Sequence, residues 1–283
     1  MYLTEINGYW YVRRSTSDGK ETVAKLGAQD GRPTMYRPEL YNDKAENILA
    51  RLPEDSVDTI ITDPPYGIEM EWGDTAFGTA DEFGTIPNDT TLEFLEGLAE
   101  EFRRVLAPDS HCYVFSRWDA YPAMSEYFTD ALELNTVIVW DKMSHGMGDL
   151  SDWAPQHEFI LHLKHGEPDL HGERPTNVVR ETAEMKGETV RIHPTQKPRE
   201  LIEYLIEKST AVGETIFDPF GGAYTTVRAA MRTFRRGISC ELDPEIHRAG
   251  ADLVRKQLHD DPEYGINWTE LCDLQIQETA AIR

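Results

Sequence analysis

Cysteine is scarce in this chain. Cys112, Cys240 and Cys272 are odd in number and far apart, which supports neither a disulfide framework nor a zinc site. No apolar run approaches the length of a membrane span, and the N-terminus "MYLTEINGYWYVRRS" lacks a signal-peptide layout. A cytoplasmic protein without a membrane partner is expected. Cations are also scarce: 28 Lys and Arg stand against 51 Asp and Glu, for a net charge of −23. That balance is unexpected in a nucleic-acid binder. It reads as a solvated acidic surface, or as adaptation to high salt, which the excess of Arg over Lys fits. Any DNA contact must then come from local basic patches, and at high salt from base contacts and stacking.

What is present is a βαβ rhythm. "VDTIITDPPYGIEMEW" opens as an apolar, β-branched run, a buried strand of a parallel sheet. Pro64 and Pro65 cannot donate to a ladder, so the strand must end at Asp63. The Asp63 carboxylate and the Pro64 carbonyl then point off the carboxyl end of the strand, the rim where open α/β sheets bind ligands. Two rigid acceptors beside the Tyr66 ring suit a flat group bearing an amine with two hydrogens. An exocyclic amine on a nucleobase is such a group.

The chain divides into five stretches. Residues 1–37 form an N-terminal hairpin appendage turning at Ser17-Asp18-Gly19. Residues 38–142 carry strand, helix and strand, a long polar loop over 67–90, and a helix across "TLEFLEGLAEEFRRVL" that leads over Pro108-Asp109-Ser110 into "HCYVFS". In 143–191 the rhythm breaks: "QHEFILHLK" alternates as one more strand, and the remainder reads as an inserted recognition segment. The α/β pattern resumes over 192–259, and 260–283 is a weakly patterned acidic tail.

"FDPFGGAYTT" is a strand-to-helix turn with adjacent glycines, where a ligand can approach the backbone at a helix N-terminus. The next strand ends in Glu241, placed to bind the two hydroxyls of a ribose. Turn and acid together imply an adenosine-containing cofactor. The dinucleotide glycine pattern is missing, which favours a nucleoside cofactor without a pyrophosphate. In "HPTQKP", polar groups and a lysine at a helix entry suit a carboxylate. "HEFILHLKH" spaces His157 and His162 five apart in a strand-like run, which does not match the zinc motif. Arg228, Arg232, Arg235 and Arg236 read as a solvated face, with a phosphate-contacting patch as the minority reading.

In this order, "DPPYG", "VIVWDK", "HEFIL", "HPTQKP" and "FDPFGG" resemble the S-adenosylmethionine-dependent DNA amino-methyltransferases of the β group, over most of residues 38–258. The resemblance implies a Rossmann-like α/β fold. Its sheet is seven-stranded, mostly parallel and circularly permuted, with a small inserted recognition segment. It implies S-adenosyl-L-methionine as cofactor and double-stranded DNA as partner. Asp63 and Pro64, set by Pro65, would bind the target amino group, and Tyr66 would stack on a flipped base. Asp218, Pro219, Phe220, Gly221 and Gly222 would line the cofactor pocket, with Glu241 on the ribose. His193, Thr195, Gln196 and Lys197 would hold the methionine end, and Asp43 the adenine. DPPY leans to the 6-amino group of adenine; the 4-amino group of cytosine uses the same geometry. One departure is Tyr224, where the family usually has glycine. It motivates a rival, a catalytically weak DNA- or cofactor-binding relative. RNA or protein methylation is a third reading, which Asp63 disfavours. The short recognition segment implies a short target site or a homodimer that shares recognition.

Overall fold

The computed structural model describes residues 2–6, 9–16, 19–28, 38–66, 92–95, 97–144, 151, 153–182, 196–260 and 275–278. The polar stretch 67–90, His193, Thr195 and Cys272 lie outside them. Near the N-terminus, β1 (Tyr2–Ile6), β2 (Tyr9–Thr16) and β3 (Gly19–Ala28) form an antiparallel three-stranded sheet. The hairpin turns where expected, with Thr16 opposite Gly19, and β1 adds a third strand that the pattern did not reveal.

A second sheet carries the rest. In chain order its elements are β4 (Glu39–Asn42), α1 (Ala45–Leu49), β5 (Val57–Thr62), α2 (Leu98–Val105), β6 (Leu106–Ser116), α3 (Tyr121–Thr129), β7 (Glu133–Asp141), β8 (His157–His165) and β9 (Val178–Arg180). Then come α4 (Arg199–Ser209), β10 (Thr215–Asp218), α5 (Thr225–Arg232), β11 (Arg236–Glu241), α6 (Pro244–Asp260) and β12 (Gln275–Glu278). The strand order is β12-β4-β11-β10-β5-β6-β8-β7-β9. Only β8 runs against its neighbours. The seven expected strands, β4 to β7 across the sheet, are all present. Short edge strands extend them on both sides, and β12 replaces the expected unpatterned tail at one of them.

Alternation along the central strands builds two cores. Ile60, Cys112, Val114, Leu161, Leu163 and Phe217 face α1, α2 and α3. Their neighbours Ile61, Tyr113, Phe115, Ile160 and Ile216 face α4 and α5. The connections from β10 and from β5 diverge to opposite sides, so a crevice opens between these strands at their carboxyl ends.

Three expectations need correction. The helix over residues 91–106 is shorter, because Gly97 adopts φ 79° and only Leu98–Val105 is α-helical, after a 3-10 turn at Glu93–Leu95. Leu106 already belongs to β6, and Pro108-Asp109 is an irregularity within that strand, with Asp109 at φ 58°. The arginines are no solvated face. Arg228, Arg232 and Arg235 are buried, bonded respectively to Gln257, Glu203 and Thr210, and half-buried Arg236 pairs with Glu39. Helix α5 is buried all round between the sheet, α4 and α6, so its cations turn inward to partners.

The histidines are not set for metal either. His162 stacks on Tyr113 at 4.8 Å, and its Nε2 lies 2.9 Å from His111 Nδ1. His111 Nε2 faces the Asp169 carbonyl, and Asn135 Nδ2 faces His162 Nδ1. These partners fix a chain of neutral rings, each donating once and accepting once. Burial, then His111 and Lys164, depress His162 to about 4. A base depressed on folding stabilises fully above its unfolded value and loses that contribution as pH falls through the folded one. Between pH 6.5 and 4, wild type is therefore expected to lose on the order of 3 kcal/mol through this group. Urea unfolding of His162→Gln should show lower stability at pH 8 and a shallower fall towards pH 4. An equally steep fall would refute this account.

Candidate active site

The acids of the site stand at strand ends along one rim. β5 stops because Pro64 and Pro65 follow Asp63, and Asp218 and Glu241 are the last residues of β10 and β11. β8 runs backwards, so its start, not its end, reaches this rim. Glu158, opposite Trp140 near the end of β7, arrives there in this way.

Both oxygens of Asp63 are engaged. Oδ1 accepts from the Tyr66 hydroxyl and Oδ2 from Lys197 Nζ. Lys197 is buried; its Nζ also lies 3.4 Å from Glu158 Oε2 and 5.2 Å from the centre of the Phe115 ring. Glu158 Oε1 in turn holds Lys142 Nζ at 2.6 Å. Burial pushes Asp63 upward and Glu158 adds to this, while Lys197 and Tyr66 pull it back only in part. Burial opposes the charge on Lys197, yet Asp63 and Glu158 more than offset it and hold the ammonium above its ordinary range. Burial also opposes ionisation of Glu158, and Lys197 and Lys142 reverse that. Two cations thus alternate with two anions.

Beside this cluster, Asp218 Oδ1 accepts from Thr62 Oγ1 at 2.9 Å and from the Phe220 amide at 3.1 Å. Burial raises Asp218 to about 6 against bonds from Thr226, Thr62 and Phe220, with Asp63 adding to the rise. Pro219 is buried beneath the turn, where its carbonyl faces Cys240 Sγ. The half-buried Phe220 ring meets Phe94 edge-on at 5.9 Å. Gly222 has φ 50°, and its amide donates to Glu241 Oε2 at 2.9 Å, while Asp243 N donates to Oε1 at 2.8 Å. Each oxygen of Glu241 keeps a lone pair, enough for two vicinal hydroxyls. A Gly turn, an aromatic ring and a two-oxygen acceptor fit a nucleoside, and the anionic rim suits a sulfonium.

The structure brings Asp63, Pro64, Pro65 and Tyr66 to one end of this crevice and Asp218, Pro219, Phe220, Gly221, Gly222 and Glu241 to the other. Asp43 follows β4 on the same rim, where it accepts from Lys44 N and Asn47 Nδ2 and pairs with Arg51 at 2.8 Å. Lys197 is drawn onto Asp63, with Gln196 buried next to it. Sequence reasoning missed Thr62, Lys142 and Glu158. The signal for Glu158 was an acid near the start of the alternating strand His157–His165.

Tyr224 occupies the left-handed region at φ 56° and caps α5. Its ring is wholly buried between the turn and α6: a Cβ at Gly221 would lie 2.6 Å from it, and one at Gly250 would lie 2.9 Å from it. The hydroxyl lies 2.6 Å from His247 Nδ1 and 3.3 Å from the Tyr41 carbonyl. Glycines on both sides make room for the ring, so it does not intrude on the open rim.

A doubly wound sheet with this rim defines a Rossmann-like α/β methyltransferase. Residues 57–252 match the model of the N6/N4 DNA methylase family, and the chain belongs to that family. YubD of Escherichia coli K12, provisionally named a methylase, is 31% identical over 72% of this chain and 84% of its own. The type II methyltransferase M.HpaI of Haemophilus parainfluenzae is 28% identical over 73% of this chain and 70% of its own. The DNA adenine methyltransferase YhdJ of Escherichia coli K12 is 25% identical over 77% and 85%. Among solved structures, the cytosine-N4-specific PvuII DNA methyltransferase superposes with TM-score 0.62 at 19% identity, covering 78% of this chain and 88% of that one. A provisionally named DNA modification methylase of Thermus thermophilus, solved with S-adenosyl-L-methionine, gives 0.59 at 21% identity, covering 86% and 99%. The cofactor of this DNA methyltransferase is S-adenosyl-L-methionine.

Replacing Tyr224 by the glycine usual in the family relieves roughly 1 kcal/mol of left-handed strain. It also empties a ring-sized space, which in cores costs about 3–5 kcal/mol. Tyr224→Gly is therefore expected to lose about 2–4 kcal/mol in urea unfolding. A gain in stability would show that the ring is not a packing element.

Proposed function

We propose that this chain methylates the 6-amino group of adenine in double-stranded DNA. The observation that carries the reading is the Asp63-Pro64-Pro65-Tyr66 corner beside the Asp218–Glu241 rim. A carboxylate stands at the end of β5, on the same rim as the Gly222–Glu241 turn, with an aromatic ring alongside. A base must leave the duplex to reach such a corner, and stacking with edge contacts must hold it there. Tyr66 supplies the ring. Asp63 and the Pro64 carbonyl accept the two amino hydrogens and so favour a nitrogen lone pair aimed at the methyl donor. S-adenosyl-L-methionine supplies an already activated methyl group. The chain then contributes in-line positioning and a fixed anionic environment.

On the cofactor side, Glu241 takes the ribose hydroxyls, and Asp218, Pro219, Phe220, Gly221 and Gly222 form the pocket wall. Asp43 reaches the adenine, and the segment with His193, Thr195 and Gln196 holds the methionine end. The adenine reading is supported by the DPPY sequence and by likeness to a relative named as an adenine enzyme. The second reading, cytosine at its 4-amino group, is favoured by the similarity of fold to the PvuII enzyme. Likeness to type II methyltransferases supports a place in restriction–modification. A homodimer sharing recognition fits the short segment over 143–191.

Labelled S-adenosyl-L-methionine incubated with mixed-sequence duplex DNA, at low and at molar salt, is expected to yield 6-methyladenine on nucleoside mass spectrometry. Methylcytosine would install the second reading, and no product from folded protein would favour a binding role. Asp63→Ala should lower kcat on the order of a hundredfold or more with cofactor affinity kept. Tyr66→Ala should reduce activity more than cofactor affinity; equal losses would count against stacking.

A further inference from the structure

Asp63 is capped on both oxygens by the chain itself. Tyr66 donates to one and the buried Lys197 ammonium to the other. Each oxygen keeps a second lone pair, but an amine arriving at Oδ2 meets the ammonium already bonded there, and a buried ammonium can give way only towards another acceptor. One is adjacent. Glu158 Oε2 is buried, lies 3.4 Å from Lys197 Nζ, and has no hydrogen-bond partner among the described residues. The other oxygen of Glu158 is anchored to Lys142, which lies over the Trp140 ring at 5.3 Å. The ammonium thus sits between two carboxylates, nearer to Asp63 than to Glu158.

We propose that Glu158 is a positioning residue that receives Lys197 when the target amino group takes its place on Asp63. The inference rests on the assignment of Asp63 as the amino acceptor. In the resting protein, Lys197 guards the carboxylate and offsets part of the burial that disfavours its charge. When a base enters, a small movement of the ammonium to Glu158 frees Asp63 Oδ2 and keeps both cations paired. A carboxylate is needed at position 158 because it must hold a full charge in a dry setting; a glutamine would leave the ammonium on Asp63. The charged and titratable groups around this exchange are Asp63, Tyr66, Lys142, Asp218 and Arg117.

The test is steady-state kinetics of the full chain on duplex DNA across pH, with cofactor binding measured by calorimetry. Glu158→Gln is expected to bind S-adenosyl-L-methionine within twofold of wild type and to lose at least tenfold in kcat, with KM for DNA changed less than threefold. Glu158 raises Asp63, so its neutralisation should also move the acid limb of the kcat profile to lower pH. Glu158→Asp keeps the charge and should lose less than threefold. In a Lys197→Met background there is no ammonium to receive, so Glu158→Gln should add less than twofold. An unchanged kcat and acid limb in Glu158→Gln, additive losses in the double variant, or Glu158→Asp as impaired as Glu158→Gln would overturn the proposal. If wild type methylates DNA and Asp63→Ala does not, such a result removes Glu158 alone. If Asp63→Ala stays active, the assignment of Asp63 falls and takes this inference with it.

Discussion

The hydrogen bond from Thr62 to Asp218 joins two parts of the chain that are 156 residues apart. β5 and β10 are the adjacent strands from which connections diverge, and their ladder pairs only Ile216 with Thr59 and Phe217 with Ile60. Beyond those pairs the strands separate into the crevice. The hydroxyl of Thr62 spans that opening one residue before Asp63, and its acceptor is two residues before Phe220. A slip of β5 against β10 would therefore displace the Asp-Pro-Pro-Tyr corner from the Gly221–Gly222 turn as a unit. The permutation of the chain makes this bond more consequential, because the intervening sequence folds as the far side of the sheet.

Around that joint, the rim handles charge by alternation. Lys142, Glu158, Lys197 and Asp63 form a line of opposite charges, and Asp218 next to them is kept ionisable by three donors rather than by a cation. Buried ion pairs of this kind give little net stability, since desolvation offsets most of their attraction. What they do give is geometry. Asp63 is held with both oxygens directed, and a cation is within reach of two carboxylates. The same low dielectric that makes the arrangement expensive to build makes it responsive to the arrival of one more donor.

Much of this was legible in the sequence, for physical reasons. Val57 to Thr62 had to be a buried strand, and Pro64 with Pro65 had to end it, so Asp63 had to stand on the rim. Gly221 and Gly222 before a helix, with Glu241 ending the next strand, placed the glycine turn and its acid by local rules alone. Non-local facts were hidden. Nothing in the spacing of Glu158 showed that β8 is antiparallel and so delivers its first residues, not its last, to the rim. The arginines of α5 looked exposed because charge normally is; their burial depends on α6 and on partners such as Glu203 and Gln257. Gly97 sits within a helical pattern, and only its left-handed backbone shows that the helix starts after it. The edge strand β12 pairs with β4, which is distant in sequence, so its own composition carried little signal.

The inward-facing arginines bear on how an acidic protein approaches DNA. Arg228, Arg232 and Arg235 neutralise or cap groups inside the fold, and Arg236 holds Glu39 at the base of β4. These four cations are engaged by the chain itself and are not available to phosphates. Counterion release, the usual source of affinity, needs exposed cations on phosphates and is correspondingly weak here. Long-range repulsion dominates at low ionic strength, and it shrinks as the screening length falls to roughly 3 Å at molar salt. Affinity in such a protein must come from contacts that salt leaves intact: an aromatic ring against a base and directed hydrogen bonds at its edge. In the proposed function Tyr66 and Asp63 are contacts of that kind, and the rim that holds them is built from paired charges. An acidic exterior and a base-binding corner are therefore compatible in one chain, provided recognition depends on the base more than on the backbone.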